Sequence, residues 1–257
     1  MSEERKISGV IITFNEEKNI GRCLKSLLPV CDEVIVVDSF STDNTQLICE
    51  KYSVKFIQHP FEGHIQQKNY ALQAASNDLI LSLDADEELS HELQQSILEI
   101  KKAGKSSAYR LNRLTSYCGK WIRHCGWYPD RKIRLWDRQI GRWGGINPHD
   151  TVVLDENVTA VNLSGDMLHY TYHTIGEHIT QMNKFSDIAA REAYKRNKKV
   201  FPLWHLGFYP AFTFFRNYIL KAGILDGYYG FIVCKYSAYY RFLKYSKLAE
   251  LHKGKEI

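Results

Sequence analysis

The stretch Asp78-Leu-Ile-Leu-Ser-Leu-Asp84-Ala-Asp86-Glu87-Glu88 constrains this chain more than any other. A short apolar run bounded by Asn77-Asp78 reads as a strand buried on both faces of an α/β sheet. It ends in four carboxylates within five residues. Acids at the carboxyl end of such a strand lie where open α/β sheets bind their ligands. Two carboxylates separated by a small alanine can face a hard divalent cation that carries substrate phosphates. The plainer reading is that acids end one strand and open the next helix, whose first turn favours Asp and Glu. The neighbouring segments decide between the two.

Ile7-Ser-Gly-Val-Ile-Ile-Thr13 predicts a strand, and Asn15-Glu16-Glu17 opens a helix with Ile20, Leu24, Leu27 and Leu28 as its apolar stripe. Glu33 to Asp38 is a second buried strand ending in a carboxylate. The turn Ser39-Phe-Ser-Thr-Asp-Asn caps a helix reaching about Tyr52. Val54 to Ile57 predicts a third strand and Gln66 to Ala75 a helix, before the Asp78–Asp86 strand. This βαβαβαβ alternation implies right-handed crossovers and a Rossmann-like, mostly parallel α/β sheet. Strand ends of a parallel sheet share one edge, so Asp38 and Asp84/Asp86 should converge on one crevice. The expected organisation is a catalytic domain over 1–190, with halves at about 1–105 and 106–190. A helical aromatic and basic extension follows over 191–257.

Several α/β classes are excluded. No GxGxxG follows the first strand, no GxxxxGK[ST] occurs, and there is no GxSxG elbow. The charged start, Met-Ser-Glu-Glu-Arg-Lys-Ile, predicts no secretory leader. Six cysteines show no CxxC pairing, which fits scattered reduced thiols of a cytosolic protein; Cys118, His124 and Cys125 make a poor zinc candidate. The formal net charge of +5 is unevenly spread. From Lys195 onward there are 12 Lys/Arg against 3 Asp/Glu, whereas the remainder has 22 against 26.

Four segments in order, Ile11-Ile-Thr-Phe-Asn-Glu-Glu, Val37-Asp38-Ser-Phe-Ser-Thr-Asp43-Asn-Thr, Gln67-Lys68-Asn69 and Leu83-Asp84-Ala-Asp86-Glu87, resemble the motif series of family 2 inverting glycosyltransferases. The resemblance is to the bacterial branch that includes lipopolysaccharide-core β-1,4-glucosyltransferases. It is strong over roughly the first 150 residues and looser in Lys221-Ala-Gly223-Ile-Leu-Asp226-Gly227-Tyr-Tyr-Gly230. It implies a GT-A fold and a nucleotide-sugar donor, with a UDP-hexose such as UDP-glucose expected first. Thr13, Phe14, Asn15 and Glu16 would line the nucleobase pocket. Asp38 and Ser39 would lie near uracil or ribose, and Lys68, Asp84 and Ala85 along the nucleotide. Asp86, with Asp84, would hold Mg²⁺ or Mn²⁺, and His169 is a candidate third ligand. Asp43 has two readings, ligand contact or helix cap. Phe40 and Asn44 depart from the resemblance, standing where relatives often have glycine.

An inverting transfer needs one carboxylate to take the acceptor's hydroxyl proton while cationic groups stabilise the leaving diphosphate. Relatives tend to place a His-Glu pair where this chain has His149-Asp150, so Asp150 is the expected base, with Glu87 and Glu88 as fallbacks. The alternative reading of Gly144 to Thr151 is a turn. The segment Arg131-Lys-Ile-Arg134-Leu-Trp136-Asp-Arg138 predicts a strand with a basic face. Arg134, Glu87 and Trp136 are its and its neighbours' candidates for diphosphate or sugar contact, whereas Arg131 and Arg138 read equally as solvated. Trp127, Trp136 and Trp143 offer either sugar stacking or packing.

The aromatic, basic segment Val200 to Leu251 predicts association with a membrane surface, the alternative being packing or a homodimer interface. Its longest uncharged run, Val200 to Phe215, is shorter than the ~20 residues of a spanning helix. The expected setting is cytoplasmic, peripheral on the inner face of the membrane, acting on a lipid-linked saccharide such as lipopolysaccharide core. Two other functions fit parts of the sequence. A nucleotidyltransferase would want a Gly-rich basic loop after the first strand. A non-catalytic module would bind membrane or nucleic acid through the tail, though no nucleic-acid reader motif is present and none is expected as a partner.

Overall fold

A computed structural model describes residues 4–103, 107–146 and 149–257, with His149 described in its backbone only. The elements run β1 (Ile7–Thr13), α1 (Ile20–Leu27), β2 (Glu33–Asp38), α2 (Thr45–Cys49), β3 (Lys55–Gln58), α3 (His64–Gln73), β4 (Leu79–Asp84), β5 (Glu87–Leu89) and α4 (His91–Ala103). There follow β6 (Ala108–Tyr117), β7 (Lys120–Ile122), β8 (Asp130–Asp137), β9 (Gly141–Ile146), β10 (His149–Leu154), β11 (Val161–Tyr172) and α5 (Ile175–Lys195). The chain then runs through a π-helical segment Leu203–Phe208, α6 (Tyr209–Phe215), a second π-helical segment Arg216–Leu220 and α7 (Gly227–His252).

Two compact units result: 1–114 with 130–170, and 115–129 with 171–257. The expected boundary at 190/191 falls inside α5, and the expected division at 105/106 lies outside the described residues. In the first unit the strand order is β3-β2-β1-β4-β8-β6-β11-β5. The first four are mutually parallel, β8 runs antiparallel to β4, and β5 runs antiparallel to β11. The result is a mixed, mostly parallel Rossmann-like sheet of the GT-A type, as the alternation predicted. Alternate residues face two separate cores. Ile7, Ile11, Val34, Val36, Leu79, Leu81 and Leu83 pack with α1 and α4. Val10, Ile35, Val37 and Ile80 pack with Ala71, Leu72, Trp136, Trp143 and Val152. A strand covered on both faces is apolar almost throughout, which is why the three runs in β1, β2 and β4 are legible.

In the second unit Tyr117, Ile122, Cys125, Val233 and Cys234 form one buried cluster, and Ala190, Ala193, Tyr245 and Leu248 another. A capping box starts α5: Thr174 Oγ1 accepts the Glu177 amide at 3.1 Å, and Glu177 Oε2 accepts the Thr174 amide at 3.2 Å. The Lys221–Gly230 motif is a packing device here. A Cβ on Gly230 would lie 2.1 Å from the Gly223 carbonyl oxygen, and the Asp226 carboxylate accepts the His124 amide at 2.8 Å. No helix of the described residues is long and apolar enough to cross a membrane.

Candidate active site

Parallel pairing sets the acids at one level. Thr13 pairs with Asp38, and Ile12 pairs with Asp84. Beyond these strand ends two loops are laced together. The Asn15 amide donates to Ser41 Oγ at 2.8 Å, Asn15 Oδ1 accepts the Thr42 amide at 2.8 Å, and the Glu16 amide donates to Thr45 Oγ1 at 2.8 Å. Asn15 is left-handed, with φ of 54°, a conformation asparagine tolerates. Phe40 also has a positive φ, 59°, a backbone region that glycine adopts without a Cβ penalty. Phe14 is exposed at this edge. Ser39 Oγ accepts from Gln67 Nε2 at 3.0 Å. Asp43 accepts the Thr45 amide at 3.0 Å and, from the facing loop, the Glu17 amide at 3.0 Å.

Asp38 is enclosed by its own turn. Its carboxylate is fully buried, with one oxygen accepting the Ser41 amide at 2.8 Å and the other the Ser41 hydroxyl. In this structure it holds the turn that shapes the pocket.

Asp84 is the hub. Lys68 Nζ lies 2.8 Å from Asp84 Oδ1 and 2.8 Å from Asp150 Oδ2, bridging the end of β4 to the start of β10. Arg134 Nη2 lies 2.7 Å from Asp84 Oδ2 and 3.0 Å from Glu87 Oε1. Burial alone would raise the Asp84 carboxyl, but Arg134 and then Lys68 hold it well below the usual carboxylate range. Glu16 moves the other way, raised first by burial and then by Asp86, Asp43 and Asp84 nearby. Lys68 is itself buried and sits 4.4 Å from the Trp143 ring centroid.

Trp136 and Glu87, expected at the diphosphate or sugar, are both enclosed. Trp136 is fully buried in the core, where Nε1 donates to the Gly141 carbonyl at 3.0 Å. Strand β8 is covered on both faces there, so no sugar reaches that ring. The Glu87 side chain is likewise buried, with Oε1 on Arg134 and Oε2 accepting the Asp84 amide at 2.9 Å. It acts on a ligand only by positioning Arg134 and Asp84. Ala85 is buried as well, leaving only its backbone to contribute.

Asp86 Oδ2 lies 3.2 Å from His169 Nε2, because β11 pairs with β5 and sets His169 opposite Glu87. Among the described residues no group of three or more His, Cys, Asp or Glu side chains forms a metal cage. Mg²⁺ and Mn²⁺ do not need one, since they are held by one or two carboxylates together with substrate phosphates and water. Asp86 with Asp84 fits that donor set, and His169 stands where a further ligand would.

A cleft of about 480 Å³ adjoins this hub, lined on one side by Lys68, Asp84 and Asp150. Its other wall carries Arg110, Arg113, Arg131 and Lys132, of which sequence reasoning weighed only Arg131, and then as solvated. The available signal was slight, since Arg110 and Arg113 stand in a strand that also carries Asn112, Thr115 and Ser116. Trp143 Nε1 and Arg134 Nε, on two further lining residues, are buried without a hydrogen-bond partner among the described residues. The segment before Asp150 includes Asn147 and Pro148, which lie outside the described residues.

Comparison with known proteins identifies the family. The family model described as glycosyl transferase family 2 matches residues 8–152. An uncharacterized glycosyltransferase of Rickettsia typhi is 34% identical, the match covering 96% of this chain and 88% of that protein. The lipopolysaccharide core biosynthesis glycosyltransferase LpsC of Rhizobium meliloti is 30% identical, covering 96% and 93%. Among solved structures, the mannosyltransferase PcManGT of Pyrobaculum calidifontis, in complex with GDP-Man and Mn²⁺, superposes with a TM-score of 0.55 at 12% identity, covering 96% and 88%. That likeness concerns the fold. The matched segment contains β1 to β4 and the Lys68, Asp84, Asp86, Arg134 and Asp150 cluster, and on it the chain belongs to glycosyl transferase family 2.

Proposed function

We propose that this chain is an inverting, metal-dependent glycosyltransferase that moves a hexose from a UDP-sugar, UDP-glucose first among them, to a saccharide on a lipid carrier. The observation that carries the reading is the Lys68 bridge, 2.8 Å to Asp84 and 2.8 Å to Asp150, which joins the diphosphate end of the site to its base. Mg²⁺ or Mn²⁺, held by Asp86 with Asp84 and His169 as candidate partners, would neutralise charge on the leaving diphosphate. Arg134 and Lys68 keep Asp84 ionised and in place. Asp150 takes the proton of the acceptor hydroxyl as that oxygen bonds the anomeric carbon. The bond from that carbon to the diphosphate breaks, and the nucleoside diphosphate leaves with the electron pair. One displacement inverts the anomer. Thr13, Asn15 and Glu16 form the nucleoside end, with Ser39 and Asp38 shaping the turn. The LpsC likeness supports lipopolysaccharide core as the acceptor.

The second unit supports a membrane-surface role. Trp204, Phe208, Phe212, Phe215 and Ile219 are all exposed along one continuous helical path, three or four residues apart. That spacing makes a single apolar stripe. With the basic excess after Lys195 it suits the interface of an anionic bilayer. Binding to anionic vesicles that F208E/F215E abolishes is expected; unchanged binding, or loss of a dimer in its place, refutes it.

Calorimetric titration with UDP, GDP and dTDP, each with and without Mn²⁺, tests the enzyme reading. UDP should bind tightly only with metal, and Asp86→Ala should remove the metal-dependent part. No nucleotide binding under any condition overturns it.

A further inference from the structure

The positive wall of the cleft is unequally matched. Lys68 and Arg134 are spent on Asp84, Asp150 and Glu87. Arg113 holds Asp130 through Nε at 2.9 Å and Nη2 at 2.5 Å, and Lys132 lies 3.1 Å from the same carboxylate. Arg110 and Arg131 have no carboxylate partner among the described residues. Arg110 donates Nη1 to the Ala160 carbonyl at 2.6 Å, and Arg131 makes a long contact, 3.4 Å, from Nε to Asn112 Oδ1.

Register places these two arginines together. Across the β6–β8 pair Arg110 faces Ile133 and Asn112 faces Arg131, so Arg110 and Arg131 are diagonal neighbours on one face. Diagonal positions are about 7–8 Å apart at the backbone, within reach of one another for long side chains. Two like charges at that spacing repel, and a cleft with low-dielectric walls strengthens their field. A guanidinium pair so placed is suited to a planar or tetrahedral oxyanion, which its donor forks grip bidentately.

The location says whose oxyanion it is. The cleft is lined by Asp150, Thr151 and Val152 and, at the diphosphate end, by Lys68, Asp84 and Arg134, but by none of Thr13 to Glu16, Asp38 or Asp86. It therefore runs from the diphosphate end to the base and leaves out the nucleoside end, and β10, which brings Asp150, Thr151 and Val152 to it, packs beside β8, which carries Arg131. The group that must approach Asp150 is the acceptor.

We infer that the acceptor saccharide carries a negatively charged substituent, a phosphate or a carboxylate, that docks on Arg110 and Arg131 beside Asp150. This rests on the glycosyltransferase reading and adds the acceptor's charge class to it. Docking the anion there orients the neighbouring hydroxyl on the carboxylate that deprotonates it, so the pair sets which saccharide is accepted.

Ligand-observed NMR titrations on the whole chain with UDP and Mn²⁺ present test this, using glucose, glucose 6-phosphate and galacturonate as probes. At least one charged probe should bind tenfold or more tightly than glucose, and the stronger of the two names the anion. In R110Q/R131Q that preference should fall to within twofold, while UDP affinity, which also reports folding, stays within twofold of wild type. R110K/R131K should recover part of the preference. Equal binding of neutral and charged sugars by the wild type overturns the inference. So does a tenfold loss of UDP affinity in R110Q/R131Q, which assigns the arginines to the donor. Failure of UDP to bind the wild type is a separate result and sinks the parent reading.

Discussion

Replacing Glu87 by Gln isolates the buried charge on which the site is built. The side chain is fully enclosed, accepting from Arg134 Nη2 at 3.0 Å on one oxygen and from the Asp84 amide at 2.9 Å on the other, with Arg113 Nη1 at 3.9 Å. Glutamine fills the same volume but has one acceptor oxygen and an NH₂ group. Whichever way the amide turns, it sets a donor against either the Arg134 guanidinium or the Asp84 N–H. A lost charge-assisted hydrogen bond costs about 1.5–3 kcal/mol. Breaking a buried pair outright costs about 3–5 kcal/mol. Arg134 keeps Asp84 at 2.7 Å, so the loss lies at the lower end, about 2–3 kcal/mol. At about 2–4 °C per kcal/mol for a domain of this size, Tm falls by roughly 4–12 °C. The adjacent Glu88 is the internal control. It accepts the Tyr170 hydroxyl at 2.8 Å and lies 3.8 Å from Arg22 Nε, but is part-exposed. Glu88→Gln should therefore cost below about 1 kcal/mol. Urea unfolding followed by circular dichroism measures both, provided the slope of each transition is unchanged. If the two variants unfold within about 0.5 kcal/mol of each other, Glu87 does not carry the electrostatic frame described, and the positioning role assigned to it is wrong.

Asp150→Asn should leave metal-dependent UDP affinity within twofold and reduce transfer by about 10²–10⁴-fold, the usual worth of a general base; near-normal turnover in a steady-state assay refutes the assignment. Acidification should weaken the second unit through His178, which burial pushes down to about 4 and whose Nδ1 sits 3.0 Å from the Tyr117 hydroxyl. Between pH 6.5 and about 4 the unfolded chain binds a proton that the folded imidazole does not, so stability falls as pH falls through that window. Discounted for partial solvent screening of the ring, the loss is about 2–3 kcal/mol, and Tm against pH should be flatter for His178→Gln than for the wild type. Gly165→Ala meets two obstacles, a φ of +89° and a Cβ position 2.3 Å from the Leu93 backbone nitrogen. It should cost more than about 2 kcal/mol in urea unfolding, and a smaller loss would show that β11 and α4 can separate there.

What was legible in the sequence shares one physical origin. Ile7–Thr13, Glu33–Asp38 and Leu79–Asp84 are buried on both faces, so their identity as strands is written in every residue and their acidic ends mark the sheet edge. The same double burial misled at β8. Arg134 and Trp136 were read as one outward face because they alternate with Ile133 and Leu135, yet Arg134, Leu135 and Trp136 are all buried. A register irregularity opposite Tyr109 and Arg110 also breaks simple alternation there. Alternation reports exposure only where one face of the sheet is wet. The site's working unit was beyond any local pattern. Lys68, Asp84 and Asp150 are distant in sequence, and what joins them is the return of β10 beside the end of β4, a long-range contact to which no neighbouring residue in the chain bears witness. For the same reason the acidic motif showed where a diphosphate would be held but was silent on the arginines of β6 and β8. Each of those reads alone as a solvated charge. Only their pairing across two strands, without carboxylates of their own, gives them a task, and that task concerns the acceptor, the half of the reaction about which the motifs said least.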